Sequence, residues 1–143
     1  MKSILLIGGT GVLSSAVVAE ALRKEMDVTI VTRGSKKAPE GVNSIVCDKD
    51  NYEKLSELLK GKKYDAIIDF LCYHEDELVR SFRFYSKYTT QYFFISSCAV
   101  YDTRVGGICT EDSPKVLPMW SYSVEKWASE QKLVQLAVGS DCK

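Results

Sequence analysis

The sequence predicts an α/β fold, a doubly wound parallel sheet of about five strands in the order 3-2-1-4-5. Three observations predict it. Short apolar or β-branched runs alternate with segments of helical periodicity. The first run, Ser3 to Ile7, is continuously apolar, as in a strand covered on both faces. It stops at Gly8-Gly9, and a helical pattern opens directly after it. Parallel strands need right-handed crossovers, and these lead to the stated order.

The elements follow in turn. Gly11 to Lys24 is apolar at Val12, Ala16, Val17, Ala21 and Leu22, which reads as a helix packed on the sheet. Asp27 to Thr32 is β-branched and reads as strand two; Arg33 to Gly41 is polar with Gly and Pro and reads as loop. Ser44 to Cys47 is a short third strand, reached by a crossover with no obvious helix. Asp50, with Glu53 three residues on, has a capping-box pattern for the next helix. Its apolar stripe is Leu55, Leu58 and Leu59, and Gly61 ends it. Asp65 to Asp69 is strand four. Leu78, Val79, Phe82 and Tyr85 give helical spacing from about Glu75 to Lys87, and Gln91 to Ser96 is strand five. A long loop is expected over 102–119. A last helix runs from Trp120 to about Val138, with Val124, Trp127, Ala128 and Val134 on one side.

Composition narrows the function classes. The chain has 143 residues, enough for one domain with a sizeable core. Its 19 basic and 19 acidic residues cancel, so there is no general pull toward nucleic acid or an anionic membrane. The apolar run at the N-terminus is far too short for a membrane span. Five scattered cysteines with no C-x-x-C spacing argue against a disulfide framework and a zinc site, and no metal is expected. Free thiols fit a reducing, cytoplasmic compartment.

Four motifs carry chemistry. Gly8-Gly9-Thr10-Gly11-Val12-Leu13-Ser14 lies between strand one and helix one. There Gly8 allows the tight turn and Gly11 lets the backbone approach a pyrophosphate at the positive helix end. Second, strand two ends in Thr32 and is followed by Arg33-Gly34-Ser35-Lys36-Lys37. No carboxylate is there to take a ribose 2′-hydroxyl, and Arg33 can bond a 2′-phosphate, which favours NADP over NAD. Third, Tyr122 and Lys126 are i and i+4 on one helix face. A phenol, with a pKa of about 10, is a poor base at neutral pH, and a nearby fixed cation favours its ionised form. Fourth, Ser96-Ser97-Cys98 ends strand five, at the sheet edge where ligands of such folds bind.

In this order, IGGTGVLSSA, TRG, FISSCAVY and WSYSVEKWASE resemble the signature segments of extended short-chain dehydrogenase/reductases, and most closely the NAD(P)-dependent epimerase/dehydratase branch. The resemblance runs along essentially the whole chain. It implies a Rossmann fold and hydride transfer with a Ser97, Tyr122 and Lys126 triad acting on a nucleotide-sugar or a related alcohol or carbonyl substrate. Tyr122 becomes the acid/base. Lys126 binds the nicotinamide ribose and lowers the Tyr122 pKa, and Ser97 orients the substrate. Gly8, Thr10, Gly11, Val12, Leu13 and Arg33 become cofactor contacts. Asp48 meets the adenine, and Phe70, Leu71 and Cys72 line the cofactor.

The resemblance also implies a sixth strand and a smaller substrate domain beyond residue 143. Residues 1–143 therefore read as the NAD(P)-binding domain, truncated before strand six, with the substrate domain absent. Strand five then becomes an edge. Its apolar Tyr92-Phe93-Phe94-Ile95 invites pairing with a second copy, so a homo-oligomer is expected. Two alternatives stay open. Some relatives resemble chloroplast stem-loop RNA-binding proteins, although the neutral charge speaks against a nucleic-acid partner. The other is a dinucleotide-binding regulator without catalysis. His74 reads as a helix-start residue. Asp65 and Asp69 read as turn and cap residues, and Trp120 and Trp127 as core.

Overall fold

The computed structural model describes residues 1–116 and 118–143; Leu117, inside the loop expected over 102–119, lies outside the described residues. Five strands, β1 (Ser3–Ile7), β2 (Asp27–Thr32), β3 (Asn43–Val46), β4 (Ala66–Asp69) and β5 (Tyr92–Phe94), form one sheet. Their order is β3-β2-β1-β4-β5, and each neighbouring pair is parallel. The helices are α1 (Val12–Arg23), α2 (Tyr52–Leu58), α3 (Glu75–Tyr85) and α4 (Ser121–Ala137).

The spans of β1 and β2 are those expected from sequence. β3 begins and ends one residue earlier than expected, because its register pairs Thr29 with Asn43 and Thr32 with Val46. Residues 33–42 cross from β2 to β3 without a helix, as the sequence suggested.

Side-chain alternation along β1 splits the core in two. Ile4 and Leu6 face α1 with Val18, Ala21, Val28 and Ile30. Leu5 and Ile7 face α2 and α3 with Leu55, Leu59, Leu78 and Phe82. Leu5, Leu6 and Ile7 are fully buried, and each such side chain contributes about 1.5–3 kcal/mol of transfer free energy.

Three local expectations are corrected. The cap of α2 is Asn51, whose side chain accepts from the Lys54 N–H; Asp50 does not cap, so Glu53 is one residue too early for a capping box. Leu58 is 40% exposed, while Leu55 and Leu59 carry the stripe. On α4 the buried residues are Ser123, Lys126 and Ser129, not the apolar side that the sequence suggested; Val124 and Val134 are exposed. Small serines let α4 approach α3 closely, and Ser129 satisfies its hydroxyl on the Glu125 carbonyl. Trp120 is the cap residue of α4 and is half exposed rather than core.

β5 is an edge strand, and Phe93 on it is 50% exposed. The edge is not bare along its length. Lys143 donates its N–H to the Thr90 carbonyl and accepts from the Tyr92 N–H, while Cys142 beside it is buried. Light scattering of the concentrated chain is expected to show a mass above the monomer that falls in Phe93→Asp, since a charge on an edge blocks strand pairing. A strictly monomeric wild-type profile would count against association through this edge. Among the described residues, no helix is long and apolar enough to cross a membrane.

Candidate functional site

The site lies at the carboxyl ends of the strands, where β1 turns into α1. Gly8 adopts φ +91°, a conformation that L side chains rarely adopt, and a Cβ on it would meet Leu71 at 2.7 Å. At Gly11 the situation differs. A Cβ there would meet only Ser14 Oγ, at 3.4 Å, so the space beside this glycine is left open by the protein itself. Gly11 is the N-cap of α1, and Ser14 Oγ accepts its N–H at 2.9 Å. The first turn of α1 holds no acidic side chain, which leaves the positive helix end available to an anion.

Two cavities adjoin across this turn and share Gly8, Gly11, Leu71 and Tyr73 as walls. One, of about 500 Å³, extends toward β2 and β3 and reaches Thr10, Thr32, Arg33, Ser35, Lys36 and Asp48. The other, of about 300 Å³, extends toward β5 and α4 and reaches Val12, Leu13, Phe70, Ser96, Tyr122 and Lys126. The chain thus brings the basic segment after β2 and the Tyr-Lys pair to two cavities on either side of the glycine turn. The open side of Gly11 leaves room for a pyrophosphate at the start of α1.

Lys126 is only 2% exposed. Its ammonium donates to the carbonyls of Cys72 (2.5 Å) and Ile95 (3.0 Å), so it ties the end of β4 to the end of β5. Nζ lies 4.5 Å from the centre of the Phe94 ring, 5.3 Å from that of Tyr73 and 5.9 Å from that of Tyr122. Burial lowers the Lys126 pKa, and nearby negative groups oppose that shift. An ammonium has three donors, so the two carbonyls leave one for a further partner. Tyr122 is half-buried, and its ring packs 5.5 Å from that of Trp120.

Two expected residues sit elsewhere. Cys72 is buried and lines neither cavity; its thiol turns inward to Asp69 at 3.1 Å, and only its carbonyl serves the site. Ser97 also lines neither cavity. Its Oγ accepts from the Ala99 N–H and starts a short 3-10 turn, Cys98–Val100, which leaves its own proton free to be donated. The neighbouring Ser96 lines the smaller cavity, and its Oγ is buried with no hydrogen-bond partner among the described residues.

Sequence reasoning did not single out Tyr73, which borders both cavities, nor Lys49, which borders the larger one. Tyr73 directly follows the Phe70–Cys72 stretch, and extending that stretch by one residue includes it. Lys49 is held by Asp50 (3.1 Å) and Glu77 (3.7 Å), a tertiary arrangement with no sequence signal. His74 is the N-cap residue of α3, as expected for a helix start, without a side-chain cap bond. Asp65 accepts from the Ser3 N–H, and Asp69 is buried beneath the site.

Comparison with known proteins supplies the family. A search of curated proteins found no match. Among solved structures, UDP-glucose 4-epimerase from Thermotoga maritima, determined with UDP-glucose, superposes with a TM-score of 0.80 at 18% identity, over 99% of this chain and 53% of that one. UDP-glucose 4-epimerase from Thermus thermophilus, in complex with NAD, gives 0.81 at 16% identity, over 99% and 52%. The Bifidobacterium longum enzyme, in complex with NAD+ and UDP, gives 0.75 at 20%, over 96% and 50%. The chain therefore spans about half the length of these structures. A model of the NAD dependent epimerase/dehydratase family matches residues 4–86. That match runs through more than half of the residues, and the chain belongs to the NAD dependent epimerase/dehydratase family.

Proposed function

We propose that residues 1–143 form the dinucleotide-binding domain of an NAD(P)-dependent oxidoreductase of epimerase/dehydratase type, acting on a nucleotide-sugar. One observation carries the reading: the glycine turn is a shared wall of two adjoining cavities at the strand ends, one bordered by the basic segment after β2 and the other by Tyr122 and Lys126. The substrate class is supported by the similar solved structures, which are UDP-glucose 4-epimerases, one of them determined with UDP-glucose.

In this reading Gly8, Thr10 and Gly11 hold the pyrophosphate at the start of α1, and Asp48 meets the adenine. Leu71 and Phe70 form the apolar wall, with Val12 and Leu13 facing it across the depression. When bound, the nicotinamide supplies hydride transfer with a sugar carbon. Tyr122 takes the proton of the sugar hydroxyl through its phenolic oxygen and returns it in the reverse step. Lys126 keeps one donor for the nicotinamide ribose, with its ammonium 5.9 Å from the centre of the Tyr122 ring. Ser97, carried over from the resemblance as the residue that orients substrate, stands one residue beyond the cavity wall at Ser96, so its contact with substrate depends on groups outside the two cavities.

We further assign the cofactor as NADP in preference to NAD. Arg33, Ser35 and Lys36 border the larger cavity just past β2, and the strand ends in Thr32 rather than a carboxylate. A charge-assisted hydrogen bond contributes about 1.5–3 kcal/mol. Arg33→Ala is therefore expected to weaken NADPH binding about tenfold or more and to leave NADH within about twofold, as read by nicotinamide fluorescence. An equal loss for both nucleotides, or none for either, would remove the phosphate preference.

A further inference from the structure

Beneath the site lies a charge that the reaction scheme above does not use. Asp69, the last residue of β4, is 1% exposed. Its carboxylate accepts from four donors: Ser81 Oγ (2.5 Å), Leu71 N–H (2.8 Å), Tyr92 O–H (3.0 Å) and Cys72 Sγ (3.1 Å). Three of these donors meet on Oδ2 and the fourth, the Leu71 N–H, on Oδ1, so the carboxylate gathers the turn after β4, α3 and β5 around one point. A buried charge of this kind is costly unless a partner of opposite sign is near.

The buried cation beside it is Lys126. Cys72 links the two, held at its thiol by Asp69 and at its carbonyl by the Lys126 ammonium. The charged and titratable groups around Lys126 are few. The segment from β4 to α3 presents Asp69, Cys72, Tyr73 and Glu77; α4 presents Tyr122 and Glu130; β5 and the residue after it add the Phe94 ring and the Ile95 carbonyl. Burial pulls the Lys126 pKa down, and Cys72, Asp69, Glu77 and Glu130 oppose it in that order. Cys72 acts only as a thiolate, and burial pushes its thiol far up, so at neutral pH that contribution vanishes. Asp69 is the buried carboxylate that reaches Lys126 through a single residue, Cys72. Glu77 is occupied by Lys49 at 3.7 Å and by the Tyr73 N–H at 2.8 Å.

We propose that Asp69 is a positioning residue of the site, pinning the turn after β4 through Leu71 and Cys72 and serving as the buried counter-charge that holds Lys126 charged beside Tyr122. Its consequence for cofactor binding rests on the dinucleotide reading above; the charge pairing itself does not. Leu71 is a wall of both cavities and packs against Gly8, so the same carboxylate also sets the shape of the cofactor groove.

The experiment titrates lysine side-chain nitrogens by NMR in the free protein, wild type against Asp69→Asn, with thermal melts to establish that each is folded. A buried lysine is charged below its depressed pKa and neutral above it, so loss of the counter-charge moves deprotonation to lower pH. The apparent Lys126 pKa is expected to fall by about one unit or more in Asp69→Asn, and by less in Glu77→Gln. NADPH affinity is expected to be lost at lower pH in Asp69→Asn than in the wild type, following the Lys126 titration. An unmoved Lys126 titration in a folded Asp69→Asn protein overturns the proposal. Should that variant not fold, Asp69→Ser is titrated in its place, and an unmoved Lys126 titration in the folded Asp69→Ser protein overturns the proposal. A wild type with the coupling intact that binds neither NADPH nor NADH supports the charge pair and overturns the dinucleotide reading instead.

Discussion

Under the proposed function, Tyr122→Phe is expected to lower the rate of hydride exchange between nicotinamide and a nucleotide-sugar by about 10²–10⁴-fold, the usual worth of a positioned acid/base, while NADPH affinity stays within about twofold. The two effects separate because the variant removes one oxygen and almost no volume. The ring contact with Trp120 survives, and so do the Lys126 bonds to the Cys72 and Ile95 carbonyls, which do not involve the phenol. The measurement is single-turnover nicotinamide fluorescence in protein competent for turnover. A variant that keeps more than about a tenth of the wild-type rate would show that another group moves the proton.

The second large effect is structural and falls at Gly9. A Cβ there would sit 2.2 Å from Ile30 Cγ2 and 2.7 Å from Ile30 Cβ, and Ile30 is fully buried on β2. Neither atom is the free end of a flexible chain, so the backbone of the turn must move. Overpacking of this kind costs about 1–3 kcal/mol and occasionally more. Gly9→Ala is expected at the upper end, lowering Tm by about 10 °C in a domain of this size. It also lifts the start of α1 off the sheet, so NADPH binding weakens in the protein that remains folded. A melt unchanged within about 2 °C would mean that the turn does not pack on Ile30 as described.

Much of the fold is legible in the chain because its strands are covered on both faces. Ser3–Ile7 and Asp27–Thr32 are runs in which every second residue meets a different core, so the run itself marks the span. The site was legible where the backbone conformation demands a residue type. Gly8 at φ +91° is such a position. What sequence periodicity missed is polar burial. Reading α4 by apolarity chose Val124 and Val134, whereas the helix buries Lys126, whose ammonium is satisfied by carbonyls 54 and 31 residues away. The turn role expected of Asp69 holds, since its Oδ1 accepts the Leu71 N–H two residues on, but its other contacts were not legible. Its donors Ser81 and Tyr92 come from α3 and β5, and only the folded chain brings them together. At α2 the failure was local competition, since Asp50 and Asn51 are both cap formers and the second one took the Lys54 N–H.

The measurement that tests the account most directly is a fluorescence titration of the wild-type chain with NADPH and with NADH. Saturable binding of a nicotinamide nucleotide, tighter for NADPH and competed by the oxidised form, is the predicted result. Absence of binding by either nucleotide in a protein that melts cooperatively would contradict it, because the glycine turn, the open side of Gly11 and the groove walls are all carried by residues 1–143.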